Sequence, residues 1–429
     1  MKLNLKRLSM IFVLLLSSVL LFACGNEENN DADDEVVELE LYSWRTEDRS
    51  SYEKFIEAFE DKHPNIKINF QPFESTEYNT ILTNALVSGE GPDIVQLRPY
   101  SGAKTIADGD YLVALDDLPG ISDIEDDYLE AAKGSDGNTY GVPLTLNAGV
   151  IFYNKAIFEE YDLSEPETWE EFIEVSEVLL ENDIIPVAQA GRDAYLLSML
   201  HAIIAPSAYN GNKLVNDLLE EKTDLTDDRM MSSLDRMLEI EKYLPEDFLA
   251  LDDNDAQALF YSEEAAMYIN GDYRLETFEN NAPELDIDII PGLKASDDED
   301  PLVTTWVDGS YGVVKASEHQ EEALKFMEFM TTEEFGQLFT DELNRVSAVP
   351  GVVPNNELVE KVTAASEKNS TPYLMLVHFG EGSPTTKTIF EDALQGMYLD
   401  EITAEQVLID AQENAERAKE EEDEDSDNE

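Results

Sequence analysis

Apolar and polar residues alternate where folding signals begin. Val37, Leu39 and Leu41 are separated by Glu38 and Glu40, which predicts a strand with one buried face. Tyr52, Phe55, Ile56 and Phe59 then fall on one face of a helix, opened by Ser50 and Glu53 at capping-box spacing and stopped before Pro64. Ile66, Ile68 and Phe70 restore the two-residue period. Ile81 to Val87 reads as a second helix, and GEGPDIVQL as a turn and a third strand. Strand, helix, strand, helix, strand is the unit of an open α/β sheet, in which ligands gather beyond the carboxyl ends of the strands.

The same grammar resumes further on. Thr168 and Glu171 form a capping box for a helix carrying Phe172, Val175 and Val178, and Ile184 to Ala188 follows as a strand. Ser317 and Gln320 are spaced to cap a helix with Ala323, Phe326, Met327 and Met330, and a further helix carries Phe335 and Leu338. These stripes are read as core. Two α/β lobes are the simplest account. Between the two runs lies YGVPLTLNAGVIFYNK, Tyr140 to Lys155, with one charge in sixteen residues.

That neutral run stands out because the chain of 429 residues carries a formal net charge of -67, from 95 acids and 28 Lys and Arg. Lys2, Lys6 and Arg7 precede an apolar run, about Met10 to Phe22, that is short for a membrane span and fits a secretory signal. It ends in LFACGN, where the single cysteine, Cys24, follows Ala23 in a pattern resembling a bacterial lipoprotein signal. Residues 1–23 are accordingly read as a signal peptide, Cys24 as the lipidated residue and 24–36 as an acidic flexible tether; 420–429 is read as an acidic tail. Loss of residues 1–23 removes three cations and no acid, so -67 becomes -70. Such a surface disfavours nucleic acid and anionic lipid as partners, and its self-repulsion points to a saline habitat. With one cysteine, no disulfide can form within the chain.

No catalytic pattern emerges. The histidines, His63, His201, His319 and His378, form no HExxH; GxSxG and GxxxxGK[ST] are absent, and Asp252 to Asp255 lacks the glycine of a calcium loop. No cofactor is therefore expected, and bound calcium stays open without a motif behind it. A secreted glycoside hydrolase built on two acids remains an alternative without a motif.

Five segments, in their order and spacing, resemble the extracellular solute-binding proteins of the maltose-binding type, receptors of carbohydrate ABC importers. They are LELYSWRTEDRSSYEKFIEAFEDKHPNIKINF, then SGEGPDIVQL, then DGNTYGVPLTLNAGVIFYNKAIFEEYDL with PETWEEF, then FYSEEAAMYINGDYRLETF, and finally WVDGSYGVVKASEHQEEALKFMEFMTTEEFGQ. The resemblance implies a two-lobed α/β fold of the periplasmic-binding-protein kind, with a ligand cleft between lobes joined by several crossovers. Lobe 1 would comprise 37–146 and a return at 303–345; lobe 2 would comprise 147–302 and 346–419. It also implies a monomer, not an enzyme, held by its lipid on the extracytoplasmic face of the cell membrane. Its partners would be a carbohydrate and a membrane permease. A peptide, polyamine or other solute is the alternative cargo.

The resemblance places Tyr140 to Lys155 at a crossover lining the cleft, where Asn147 would face the ligand; Tyr153 is open to a cleft or a buried-strand reading. Trp44, beyond the first strand, and Trp306, heading WVDGSYG, would open on the cleft, with core as the other reading, whereas Trp169 is read as packing. Tyr273, in GDYR, occupies a place where the family commonly has an aromatic and is the stacking candidate for a sugar face. Asp308 with Gly309 would accept hydroxyl hydrogen bonds, or form a surface turn. Glu74, after the second strand, and Arg98 with Tyr100, after the third, stand at strand ends where contacts are expected. Arginine is scarce here and suited to bidentate contacts.

Overall fold

In the computed structural model, β1 (Val37–Ser43), β2 (Ile66–Pro72) and β3 (Ile94–Leu97) are parallel and lie in the order β2-β1-β3. The sheet is completed by β10 (Ser310–Val313), antiparallel to β3 and to β4 (Val142–Pro143). The structure describes residues 36–89, 91–380 and 382–426; the signal segment, Cys24 and most of the tether lie outside these.

A second sheet is built around β5 (Thr145–Asn154). Along one edge it pairs with β9 (Val303–Val307) and β8 (Ile287–Ile290), along the other with β7 (Ala265–Gly271) and β11 (Val346–Ser347). β6 (Ile185–Ala188) adds parallel to β7, and β12 (Ser370–Pro372) parallel to β9. Paired on both edges and buried at every position but Leu146, β5 can hold no charged side chain along its length. This is the physical reason for the neutral stretch.

The apolar cores divide as the sheets do. Phe55, Phe59, Phe326 and Phe335 pack in the first lobe, and Trp169, Phe172, Leu200 and Met237 in the second. Trp169 stacks on Phe172, and its Nε1 donates to Glu239 at 2.8 Å.

Three chain crossings join the lobes: at Leu144 between β4 and β5, at Asp308 and Gly309 between β9 and β10, and at Arg345 before β11. They are bonded to one another. Leu144 N donates to Gly309 O (3.2 Å), Asp308 N to Thr145 O (3.1 Å) and Ala348 N to Leu144 O (2.9 Å). Gly309 has φ +109°, and a Cβ there would stand 2.6 Å from Leu97 O, so only glycine fits.

Four expectations need correction. Val303–Val307, read as the start of the return to lobe 1, pairs with β5 in the second sheet, and the chain re-enters the first sheet at Ser310. The Ser50–Glu53 box does not open its helix, which begins at Arg49 with Asp48 before it. Ser317 does not cap the helix Gln320–Met330, which follows His319: its hydroxyl donates to Asp93 and accepts from His319 N at 2.9 Å rather than from an N–H inside the helix. The acidic segment 420–426 is not a plain tail: the helix Ala404–Ser426 continues through it, consistent with the high helix propensity of glutamate. The Thr168–Glu171 box is present in full.

Candidate functional site

The strand order turns outward in both directions from β1, so its carboxyl end and that of β3 flank the topological switch point. The two ends are tied together: Ser43 Oγ and Trp44 N both donate to Gln96 Oε1, at 2.7 and 3.3 Å. A cleft of about 1910 Å³ opens here. The first lobe contributes Trp44, Arg45, Glu74, Ser75, Asn79 and Arg98; facing residues of the second include Arg192, Tyr195, Asp253, Tyr273, Arg274 and Tyr373. Trp306 and Asp308 line it where the chain crosses between lobes. Six of the ten sequence-derived ligand positions thus converge on one cleft.

Their roles differ from those expected. Trp44 is only 5% exposed, edge-on to Tyr78 at 5.4 Å, with the Arg98 guanidinium 4.1 Å from its ring centroid. Trp306 is 4% exposed and edge-on to Tyr373. Neither tryptophan therefore offers an open face for a sugar ring. Tyr273 lies against Gly271, where a Cβ would come within 2.1 Å of its Cε1, and its hydroxyl donates to Asn270 Oδ1 at 2.7 Å. Its ring is thereby fixed on the second-lobe wall. Asp308 is ion-paired with Arg45, which engages the carboxylate expected to meet hydroxyls.

Four positions lie off the cleft lining. Tyr100 accepts a hydrogen bond from Val307 N at 3.1 Å, so it links the first lobe to β9. Asn147 is fully buried beside Trp306 on the neighbouring strand, and both its amide atoms lack a partner among the described residues. Gly309 acts through its backbone at the crossing. Tyr153 is a buried strand residue: it packs on Phe158 and donates to Glu165 Oε1 at 2.9 Å.

Behind the cleft floor sits a buried ion cluster that sequence reasoning missed. Asp48 and Arg345, 1% and 2% exposed, form a two-pronged pair at 2.9 and 3.2 Å. Arg45 Nε is 3.8 Å from Asp48, and Arg345 is 3.9 Å from Glu276 of the second lobe. Burial alone would raise the Asp48 carboxyl, but the charges of Arg345 and Arg45 outweigh it and hold the group below its ordinary value. Glu276 is pushed up to about 7 by burial and by the Asp48 charge. Asp272, buried at the end of β7, is likewise raised to about 7, although Ala148 N donates to it at 3.1 Å.

Tyr195, Arg192 and Arg274 were also missed. Tyr195, at the start of the helix Tyr195–Ile204, is 39% exposed and has the most accessible ring of the second-lobe wall. The arginines carried a signal that was legible: of nine after Cys24, four line the cleft. Among the described residues, no group of three or more His, Cys, Asp and Glu is placed to hold a metal ion. The arrangement can hydrogen-bond and stack on a solute from two sides.

A profile described as "Bacterial extracellular solute-binding protein" matches residues 42–337. The chain is 26% identical over 356 residues to a multiple sugar-binding protein of Streptococcus mutans, covering 81% of this chain and 83% of that one. It is 24% identical over 334 residues to the melibiose/raffinose/stachyose-binding protein MelE of Bacillus subtilis, covering 74% and 76%. In structure it is similar to a chitin oligosaccharide binding protein, with a TM-score of 0.77 at 21% identity, over 90% of this chain and 99% of that one.

Proposed function

Because the chain belongs to the family of bacterial extracellular solute-binding proteins, we propose that it captures a carbohydrate in the interlobe cleft and hands it to an ABC permease. It works outside the cytoplasm. A lipid on Cys24 would hold it at the membrane, with residues 24–36 as tether.

The observation that carries the reading is the cleft at the switch point, lined from both lobes, in a chain whose relatives include named sugar-binding proteins. A sugar presents apolar C–H faces and a rim of hydroxyls. Tyr273 and Tyr195 supply rings on one wall, while Glu74, Asn79 and Arg98 supply polar groups on the other. A solute touching both walls favours the closed arrangement, since it gains contacts there that the open one lacks. The three bonded crossings are the natural hinge, and Asn147, whose amide beside Trp306 has no partner among the described residues, is a reserve of hydrogen bonding close to it. The permease would then read the closed lobe surfaces. Glycoside hydrolysis loses ground because the family is one of binding proteins.

Small-angle scattering of residues 25–429, with and without a pool of neutral and acidic oligosaccharides, tests the reading. The radius of gyration should fall with the pool. Contraction with a peptide or polyamine pool and none with sugars would replace the cargo.

A further inference from the structure

The first-lobe wall presents a cation where a ring was expected. Arg98 covers the face of Trp44 at 4.1 Å and is held by neutral groups: Nε donates to Asn79 Oδ1 (3.3 Å), and Nη2 to Ser75 O (2.8 Å) and Ser75 Oγ (2.9 Å). The Nη1 edge, with two N–H groups, has no protein partner among the described residues. The other three cleft arginines each have a carboxylate: Arg45 has Asp308, Arg192 has Asp252 and Arg274 has Asp253. Glu47, whose charge is felt at Arg98, hydrogen-bonds Arg45 instead, at 3.5 Å. Glu74 borders the same wall, before the helix Ser75–Ser88, without ion-pairing to Arg98.

In a chain with 95 acids, a guanidinium fixed on a cleft wall beyond ion-pair reach of every described carboxylate is a site kept clear of protein anions. Burial, and the nearby charge of Arg45, lower Arg98 to about 10, so an anion arriving beside it would be favoured. A planar fork with one free edge matches the oxygens of a carboxylate or a sulfate.

Resting on the carbohydrate reading above, we infer that the cargo is an anionic oligosaccharide whose acidic group binds the free Nη1 edge of Arg98, over Trp44. The negative charge comes from a uronic acid carboxylate or an ester sulfate.

Calorimetric titration of residues 25–429 separates these cases. The probes are uronic-acid tetrasaccharides of several linkages, the same compounds after carboxyl reduction, and sulfated neutral tetrasaccharides. At least one acidic probe should bind about ten-fold or more tighter than its neutral counterpart, and the advantage should shrink from 0.1 M to 1 M salt, roughly as the screening length falls from 10 to 3 Å. A carboxylate source favours the uronates; a sulfate source favours the sulfated probes. Arg98→Gln should erase the advantage, while Arg98→Lys, which keeps the charge and loses the fork, should retain part of it. Near-ultraviolet circular dichroism checks that the variants fold. Neutral probes binding as well as acidic ones in the wild-type protein would overturn the inference and leave sugar capture standing. An acidic advantage surviving in folded Arg98→Gln would overturn the assignment to Arg98. Binding of no probe would overturn the inference alone, since carbohydrate capture is decided by the scattering pools.

Discussion

Replacing Arg345 by methionine removes one half of the buried pair behind the cleft floor and leaves Asp48 1% exposed. The nearest remaining cation, Arg45, is 3.8 Å away and already paired with Asp308, and Arg274, whose charge also reaches Asp48, is paired with Asp253. Breaking a buried ion pair from one side costs about 3 to 5 kcal/mol, because the orphaned charge keeps its desolvation penalty. Here a ceiling can be worked out. Asp48 can escape by taking a proton, and from an ordinary value of 3.8 this costs about 1.4 kcal/mol per pH unit, hence about 4 kcal/mol at pH 7 and about 2 kcal/mol at pH 5. In the wild type the lowered Asp48 value means that stability is full above 3.8 and lost as pH falls further. In the variant the folded-state value is raised, so its native state gains a proton, and relative stability, as pH falls from 7. The gap between the proteins should therefore be about 3 to 4 kcal/mol at pH 7 and narrow by about half at pH 5. Urea unfolding at constant ionic strength measures it. Adding Asp48→Leu to the variant should restore much of the loss, since the orphaned carboxylate is gone and Arg45 keeps its partner Asp308. A gap under about 1 kcal/mol at pH 7, or one that widens with acid, would refute the reasoning.

Tyr273→Ala should weaken sugar binding by about 1 kcal/mol or more if the ring stacks on the ligand; unchanged affinity by calorimetry would remove it from the site. His201, 2% exposed and 2.8 Å from Ser233 Oγ, is lowered to about 3 by burial. The unfolded chain therefore binds a proton below 6.5 that the native state refuses, and stability is lost as pH falls through that window. His201→Leu should flatten melting temperature against pH between about 6.5 and 3, and parallel profiles for the two proteins would argue against it. Stability of residues 25–429 in urea should rise from low to molar salt as the surface acids are screened; a flat curve would count against a saline habitat.

What the sequence disclosed was mostly local. The alternation of Val37, Leu39 and Leu41 survives as β1 because one sheet face is buried, and Thr168 caps its helix because both partners lie within three residues. The capping readings at Ser50 and Ser317 fall short because each helix starts elsewhere, at Arg49 after Asp48 and at Gln320 after His319, and Ser317 Oγ takes the His319 N–H just outside the helix. The placement of Trp44, Arg98, Tyr273 and Trp306 about the cleft followed from strand ends and resemblance. The covering of Trp44 did not, since it depends on a side chain 54 positions on. Likewise Asp308 looks free in the sequence because its partner, Arg45, is remote along the chain and reaches it only across the fold. The scarcity of arginine marks Arg98, and by the same argument Arg192 and Arg274 on the second wall. Tyr195 carried no such mark among 18 tyrosines.

Sugar capture is tested most directly by thermal shift of residues 25–429 against mono- and oligosaccharides, amino acids, peptides and polyamines at high salt. A true cargo at about 100 times its dissociation constant adds about 2.7 kcal/mol of stability, which raises the midpoint visibly. One class of sugar should produce that rise. A rise with a peptide or polyamine and with no sugar would contradict carbohydrate capture while leaving the two-lobed receptor in place.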